Sequence, residues 1–252
     1  MTNISSAIRK FNRFELKYYL PLARAERFRE AIAFYLQADQ YGDERGNYAV
    51  TSLYYDSPDH HFYWEKVEGI KFRRKLRIRQ YESAEPLTPD SRVFVEIKQR
   101  LDRVTQKRRV VLPYRDALKL CNERTLPDEY APQDRLVLEE IQAMAWQYNL
   151  RPVSIVSYFR QAFIGTDYDV GLRVTFDTNL RYRAHDLQLD SKKIGRFMFP
   201  PRMVVMEIKA NERVPYWLTE LVGEHNIRLI RVSKYCQSLE AADRVPKMKY
   251  IN

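Results

Sequence analysis

The residues best placed to do chemistry are arginines, lysines and glutamates spaced two apart. Glu15-Leu16-Lys17, Glu96-Ile97-Lys98 and Glu207-Ile208-Lys209 repeat one Glu-x-Lys tripeptide at three distant places. Between them, Lys71, Arg73, Lys75, Arg77, Arg79 and Tyr81 alternate with Phe72, Arg74, Leu76, Ile78 and Gln80. Residues two apart on a strand project to the same side, so each segment offers one apolar and one charged face. A single charged face is ordinarily the solvated side of a sheet, and Glu-x-Lys is common in cross-strand pairing. Repetition changes the reading. If the sheet closes with its apolar faces outward under helices, the charged faces line a lumen. Unpaired buried cations are costly, so such a lumen must hold water and an anion of high charge.

The inward cations are then Lys17, Arg77, Arg79, Lys98, Lys107, Arg160, Arg173, Lys209 and Lys234, offset only in part by Glu15, Glu96 and Glu207. That surplus suits a chain of phosphates, which arginine forks grip bidentately and lysines hold as point charges. A few carboxylates among cations suit a divalent metal that bridges phosphate oxygens.

The elements that must position these residues are legible as periodicities. Period-two alternation predicts strands over Arg13–Leu20, Tyr48–Tyr55, Lys71–Tyr81, Arg92–Arg100, Thr105–Leu112, Ile155–Phe163, Leu172–Asp177 and Met203–Ala210. Spacings of three and four predict a helix through Leu22–Gln37 after Pro21. Others are expected just after Pro113, over about Arg135–Tyr148, and over about Pro215–Glu224. Few strand–helix–strand alternations favour an α+β fold whose eight strands form a mainly antiparallel sheet, open or closed into a barrel. The proline-bearing stretches Ser83–Ser91 and Leu126–Gln133 punctuate the chain without dividing it, so one domain is expected over 1–252.

The composition agrees. An apolar fraction of 45% excludes a disordered or collagen-like chain, and 43 Lys+Arg against 33 Asp+Glu leave a net charge of +10 that favours anionic partners. Cys121 and Cys236 stand far apart with no CxxC, which argues against a disulfide scaffold or a structural zinc and fits a reducing compartment. No apolar run is long enough to span a membrane, and the polar stretch Met1–Arg13 lacks a signal-peptide core. The expectation is a cytoplasmic protein.

The segments RFELKYYL (Arg13–Leu20), YAVTSLYYDSPD (Tyr48–Asp59), KFRRKLRIRQY (Lys71–Tyr81), VFVEIKQR (Val93–Arg100), VTQKRR (Val104–Arg109), SYFRQAF (Ser157–Phe163), LRVTFDTNLR (Leu172–Arg181), VMEIKAN (Val205–Asn211) and SKYCQSLE (Ser233–Glu240) occur in that order. In this pattern, from about residue 9 to 240, the chain resembles the VTC (vacuolar transporter chaperone) domain. That domain is the polyphosphate-polymerase branch of the CYTH, or triphosphate tunnel metalloenzyme, superfamily. The resemblance implies an α+β fold, an eight-stranded antiparallel β tunnel (a closed barrel) with flanking helices, and an ATP-dependent polyphosphate polymerase with a divalent metal, Mn or Mg. It implies phosphate ligands at Lys17, Arg77, Arg79, Lys98, Lys107, Arg160, Arg173, Lys209 and Lys234, with a hydroxyl contact from Ser233. The metal ligand would be Glu207, with Glu96 as a helper. Arg77, Arg79, Arg160, Arg173 and Lys209 would carry catalysis by neutralising charge. Partners would be ATP, polyphosphate and a membrane protein that moves the product, making the protein membrane-peripheral.

One departure stands out. Hydrolytic members typically open with Glu-x-Glu-x-Lys, whereas here the frame is Arg13-Phe14-Glu15-Leu16-Lys17. Replacing an acid by a cation favours transfer over hydrolysis. The rival readings are a triphosphatase and a non-catalytic module that binds polyphosphate or inositol polyphosphates. Nucleic-acid binding is disfavoured because carboxylates interleave with the cations. His60, His61, His185 and His225 read as surface residues, Trp64, Trp146 and Trp217 as packing residues, and Cys236 as buried. Tyr54, Tyr55 and Asp56 read as strand-end packing or the edge of a tunnel mouth. Lys247 and Lys249 read as a frayed tail.

Overall fold

The alternating segments become strands because each has an apolar face for helices to cover. A computed structural model of the chain describes residues 13–246 except 82–84, 103, 167 and 212. The Arg13 side chain, the stretch preceding it, Lys247 and Lys249 lie outside the described residues. In chain order the elements are β1 (Arg13–Pro21), α1 (Leu22–Ile32), β2 (Leu36–Ala38), β3 (Asn47–Asp56), α2 (His61–Val67), β4 (Phe72–Tyr81), β5 (Arg92–Leu101), β6 (Val104–Pro113), α3 (Tyr114–Leu118), α4 (Arg135–Gln147), β7 (Arg151–Gly165), β8 (Arg173–Arg183), β9 (Arg196–Phe197), β10 (Met203–Asn211), α5 (Tyr216–Glu224) and α6 (Lys234–Ala241). A π-helical turn, Lys119–Glu123, extends α3, and a 3-10 turn, Pro132–Asp134, leads into α4.

Eight strands follow one another in the order β1-β10-β8-β7-β3-β4-β5-β6, with short β2 on β7 and β9 on β8. Every pairing is antiparallel. Two clusters cover the outer face. Phe28 and Ile32 of α1 and Leu218 of α5 bury Leu20, Val174, Phe176, Met206 and Ile208. Leu120, Leu138, Ile141 and Ala145, in and around α3 and α4, bury Leu76, Ile78, Val95, Ile97 and Val110.

The α+β tunnel architecture stands, with one detail revised. The path is not closed by strand pairing between β1 and β6 among the described residues. Instead, the stretch 227–232 runs along the free edge of β1, where Tyr18 bridges Leu229 and the Ile230 amide donates to the Lys17 carbonyl at 2.8 Å. An ion pair between Lys98 of β5 and Glu15 of β1 spans the same gap.

The first helix is shorter than its periodicity predicts. It ends at Ile32, and Leu36 pairs with Gly165 as part of β2. Leu36 is buried on the strand just as helical spacing demanded, so its hydrophobicity could not distinguish the two. Helices α2 and α6 lie outside the predicted set because both depend on tertiary anchors. The Asp56 carboxylate accepts from the Phe62 and Tyr63 amides at the start of α2, at 2.8 and 3.1 Å. It also accepts from the Tyr235 hydroxyl of α6. Through Ser154 and Ser238 (2.7 Å) and the stacked rings of Tyr54 and Tyr235, α6 seats against the inward faces of β7 and β3 at one end.

Candidate functional site

The cross-strand register determines which side chains meet inside. Ser52 lies opposite Arg79 and Tyr54 opposite Arg77, Arg77 opposite Glu96 and Lys75 opposite Lys98. Further round, Glu96 faces Arg109 and Lys98 faces Lys107, Arg160 faces Asp177, and Glu207 faces both Lys17 and Thr175. Period two then carries all of these side chains to the same side of the sheet.

At the β1–β10 side, Lys17 and Lys98 both contact Glu15, at 3.1 and 3.0 Å, while Lys209 contacts Glu207 at 3.1 Å. Burial pushes the Glu15 carboxyl up and Glu207 adds to that push, yet Lys17, Lys98 and Lys209 hold it down at about 2. Burial likewise opposes ionisation of Glu207, and Lys209, Lys17, Lys98 and Arg160 hold it well below the usual carboxylate range. Burial, with Lys17 and Lys209 nearby, brings Lys98 down to about 8.

In the centre, Arg160 forms a two-pronged bond with Asp177 at 2.6 and 2.8 Å, and Lys234 reaches the same carboxylate at 2.5 Å. Asp177 is fully buried. Arg77 grips Glu96 through Nε and Nη2 at 2.8 and 2.6 Å, and Lys107 approaches from the other side at 3.4 Å. Arg173 bonds Asp39 at 2.7 Å and the Tyr48 hydroxyl at 2.8 Å. The predicted cations therefore do share one interior, although most meet a carboxylate there.

Two cations differ. Arg79 is 6% exposed and donates to neutral oxygens, among them Ser52 Oγ at 3.0 Å and the Tyr158 hydroxyl at 3.3 Å. Lys75 donates to Ser233 Oγ at 2.6 Å and lies 5.5 Å from the centre of the Tyr235 ring. Neither makes an ion pair among the described residues. Burial lowers the Lys75 ammonium from its ordinary value. Interior cations with neutral partners are sites that a polyanion would complete.

Ser233, predicted as a phosphate contact, accepts from Lys75 and also caps α6 by accepting from the Cys236 amide at 3.3 Å. Glu96, predicted as a helper to Glu207, is engaged by Arg77 and Lys107, and the carboxylate that senses Glu207 is Glu15. No group of three or more His, Cys, Asp or Glu converges among the described residues. Glu207 with Glu15 therefore fits a divalent ion that arrives on phosphate oxygens, which needs only one or two carboxylates, rather than a caged resident ion.

Sequence reasoning left out several residues of this interior. Lys75 was visible in the alternation with Arg77 and Arg79, and Asp177 in the alternation with Arg173 and Thr175. Asp39, in the turn after β2, carried no signal at all. Tyr54, near the end of β3, is buried with its ring packed on Tyr235, and its hydroxyl accepts from Arg77 at 3.1 Å. Burial pushes that phenol up, but Arg77, Arg79 and Lys75 outweigh it and hold it at about 8. Of the tryptophans, Trp146 is 62% exposed and lies against the Arg124 guanidinium, while Trp217 stacks on Tyr35.

Fold and interior together define a tunnel-type domain with a cationic lumen. The chain belongs to the VTC domain family, whose match covers residues 12–242. A curated relative, vacuolar transporter chaperone complex subunit 4 of Schizosaccharomyces pombe, is 23% identical over 246 residues; the match covers 82% of this chain but only 34% of the relative. Among solved structures, a proposed adenylyl cyclase from Hippeastrum, described as having a dominant triphosphatase activity, aligns with TM-score 0.50 and 13% identity. That alignment covers 94% of this chain and 100% of the neighbour. This likeness shows a shared fold. A proposed adenylate cyclase from Bacillus halodurans aligns at TM-score 0.45 and 14% identity, over 88% of this chain and 95% of its own.

Proposed function

We propose that the chain is a metal-dependent polyphosphate polymerase that transfers the γ-phosphoryl group of ATP to the end of a polyphosphate chain held in the lumen. The observation that carries this reading is the placement of Arg79 and Lys75, interior cations whose partners are neutral, within a lumen where lysines and arginines outnumber carboxylates. Family membership supports the same class of substrate. A terminal phosphate oxygen of the chain attacks the γ-phosphorus, the bond from that phosphorus to the β–γ bridging oxygen breaks, and ADP leaves. The nucleophile is already anionic, so positioning and charge neutralisation supply most of the catalysis. Arg77, Arg79, Arg160 and Arg173 orient the phosphates and spread their charge, and Lys17, Lys98, Lys107, Lys209 and Lys234 hold the chain. Glu207, with Glu15, would hold Mn or Mg, which supplies Lewis-acid neutralisation of phosphate oxygens.

The likeness to a complex subunit supports partners at a membrane surface. Among the described residues no helix is long and apolar enough to cross a membrane. A cytoplasmic, membrane-peripheral enzyme is the reading that follows.

The proximity of Glu15 to Glu207 favours a second reading, metal-dependent triphosphate hydrolysis, since two carboxylates suffice to hold an ion on a triphosphate. Incubation with ATP and Mn²⁺, a gel stained for polyphosphate and an ADP assay separate the two. Polymer with matched ADP release, lost in Glu207→Ala, is the expected result. Free phosphate without polymer selects hydrolysis, and tight tripolyphosphate binding with neither product selects a binding module.

A further inference from the structure

The lumen's far rim, beyond Arg79, is built from aromatic rings that the phosphate chemistry does not use. Tyr81 follows Arg79 on the same face of β4, and its ring centre lies 5.8 Å from Tyr48 of β3 and 5.4 Å from Phe94 of β5. A fourth ring, Tyr41, comes from the turn between β2 and β3 and lies 5.8 Å from Tyr81 at a 59° tilt. Tyr41 is 64% exposed. Guanidiniums are interleaved with this cluster: Arg79 lies 5.9 Å from the centre of Tyr81, and Arg109 lies 4.6 Å from that of Phe94.

The turn that carries Tyr41 is held from several directions. The Tyr41 amide donates to Asp39 at 3.1 Å, and the same carboxylate group pairs with Arg173. Asp43 accepts from the amides of Arg45 and Asn47 at 2.9 and 2.8 Å. Gly46 sits at φ +72, and a Cβ there would come within 2.4 Å of the Ala162 carbonyl, so the turn passes directly over β7. An exposed tyrosine on a braced turn, beside half-buried rings and two guanidiniums, presents a flat apolar face next to a phosphate-seeking interior.

We propose that Tyr41 and Tyr81, with Tyr48 behind them, form a stacking site for the planar base of a nucleoside phosphate whose phosphates enter the lumen past Arg79. The assignment rests on the reading of the lumen as a phosphate-chain site and adds a place at its rim for the base of the nucleotide donor. Base–aromatic stacking tolerates any base, because every base has a π face. The rim therefore selects a planar ring, not a particular nucleotide, and purines should bind better than pyrimidines.

Titration calorimetry of the full chain with ATP and with inorganic tripolyphosphate tests the assignment. Tyr41→Ala should weaken ATP by at least about fivefold and leave tripolyphosphate within about twofold, while Tyr41→Phe, which keeps the ring, should restore ATP. Equal weakening of both ligands, or no change in either, overturns the stacking site while leaving the phosphate lumen standing. If the unaltered protein binds tripolyphosphate not at all, the lumen reading itself falls, and the stacking site falls with it. Tyr41 is largely exposed, so its replacement leaves the core packing untouched.

Discussion

The Lys98 ammonium on β5 lies 3.0 Å from the Glu15 carboxylate on β1, joining strands that pair with other neighbours. β1 pairs with β10, and β5 with β4 and β6. This ion pair is where the sheet comes round on itself, and it places a lysine of lowered affinity for its proton in the lumen.

If the lumen holds phosphate as proposed, the proton on Lys98 should make that binding depend on pH. Its folded value, about 8 through burial and the nearby Lys17 and Lys209, lies below that of an ordinary lysine. The folded chain therefore loses this proton before the unfolded chain does. Below about pH 8 the charge penalises folding, and the penalty is relieved as pH rises from there toward the ordinary lysine value. Binding runs the other way, because a polyanion needs the charge. Tripolyphosphate affinity should fall from about pH 7 to about pH 9, and the fall should be shallower in Lys98→Met. Calorimetry across that range checks both slopes; parallel slopes would remove Lys98 from the site.

Asp177 neutralises Arg160 and Lys234 from a fully buried position. Asp177→Asn should cost about 3–5 kcal/mol of stability, the usual loss on breaking a buried ion pair. The Asp177 carboxyl is held below its ordinary value by Arg160 and Lys234 against the effect of burial. Its contribution is thus present above the unfolded value and lost as pH falls through the folded one. Urea denaturation measures the loss. Tripolyphosphate should recover more stability in this variant than in the parent, because two cations are left wanting an anion.

Arg77 has two duties, and they can be separated. It is proposed as a phosphate ligand, and it also neutralises the buried Glu96 carboxylate. Arg77→Met should therefore abolish synthesis and also lower the melting temperature, because it leaves the Glu96 carboxylate buried beside only Lys107. The double variant Arg77→Met with Glu96→Gln should regain most of the lost thermal stability and none of the synthesis. Recovery of activity in the double variant would exclude Arg77 from the reaction.

Asp56 ties β3 to both α2 and α6 through the Phe62 and Tyr63 amides and the Tyr235 hydroxyl. Asp56→Ala leaves those buried donors unmatched, at about 1–3 kcal/mol for each unsatisfied group. Hydrogen exchange should rise in α2 and α6 and change little in α1, which packs in the other cluster. A uniform rise would mean that Asp56 holds no local anchor.

The sequence alone determined the strand faces. Alternation in Lys71–Tyr81 already put Arg77 and Arg79 on one side and Leu76 and Ile78 on the other, because period two is a property of the extended backbone and needs no partner. It equally marked Glu15, Lys17, Glu207 and Lys209 as same-face pairs, and the structure realises both as ion pairs. Which residues meet across the lumen was settled only by register and closure. Glu96-Ile97-Lys98 has the same spelling as the other two tripeptides, yet Glu96 goes to Arg77 and Lys98 to Glu15. Arg77 is the cross-strand neighbour that the β4–β5 register sets, whereas Glu15 lies on a strand whose approach to β5 depends on how the whole sheet curls. The same holds for Asp39, brought to Arg173 by a turn, for Leu36, buried equally well by helix or strand, and for Tyr41, whose neighbour Tyr81 is distant in sequence. Local periodicity encodes what a side chain faces, and long-range pairing decides what it touches.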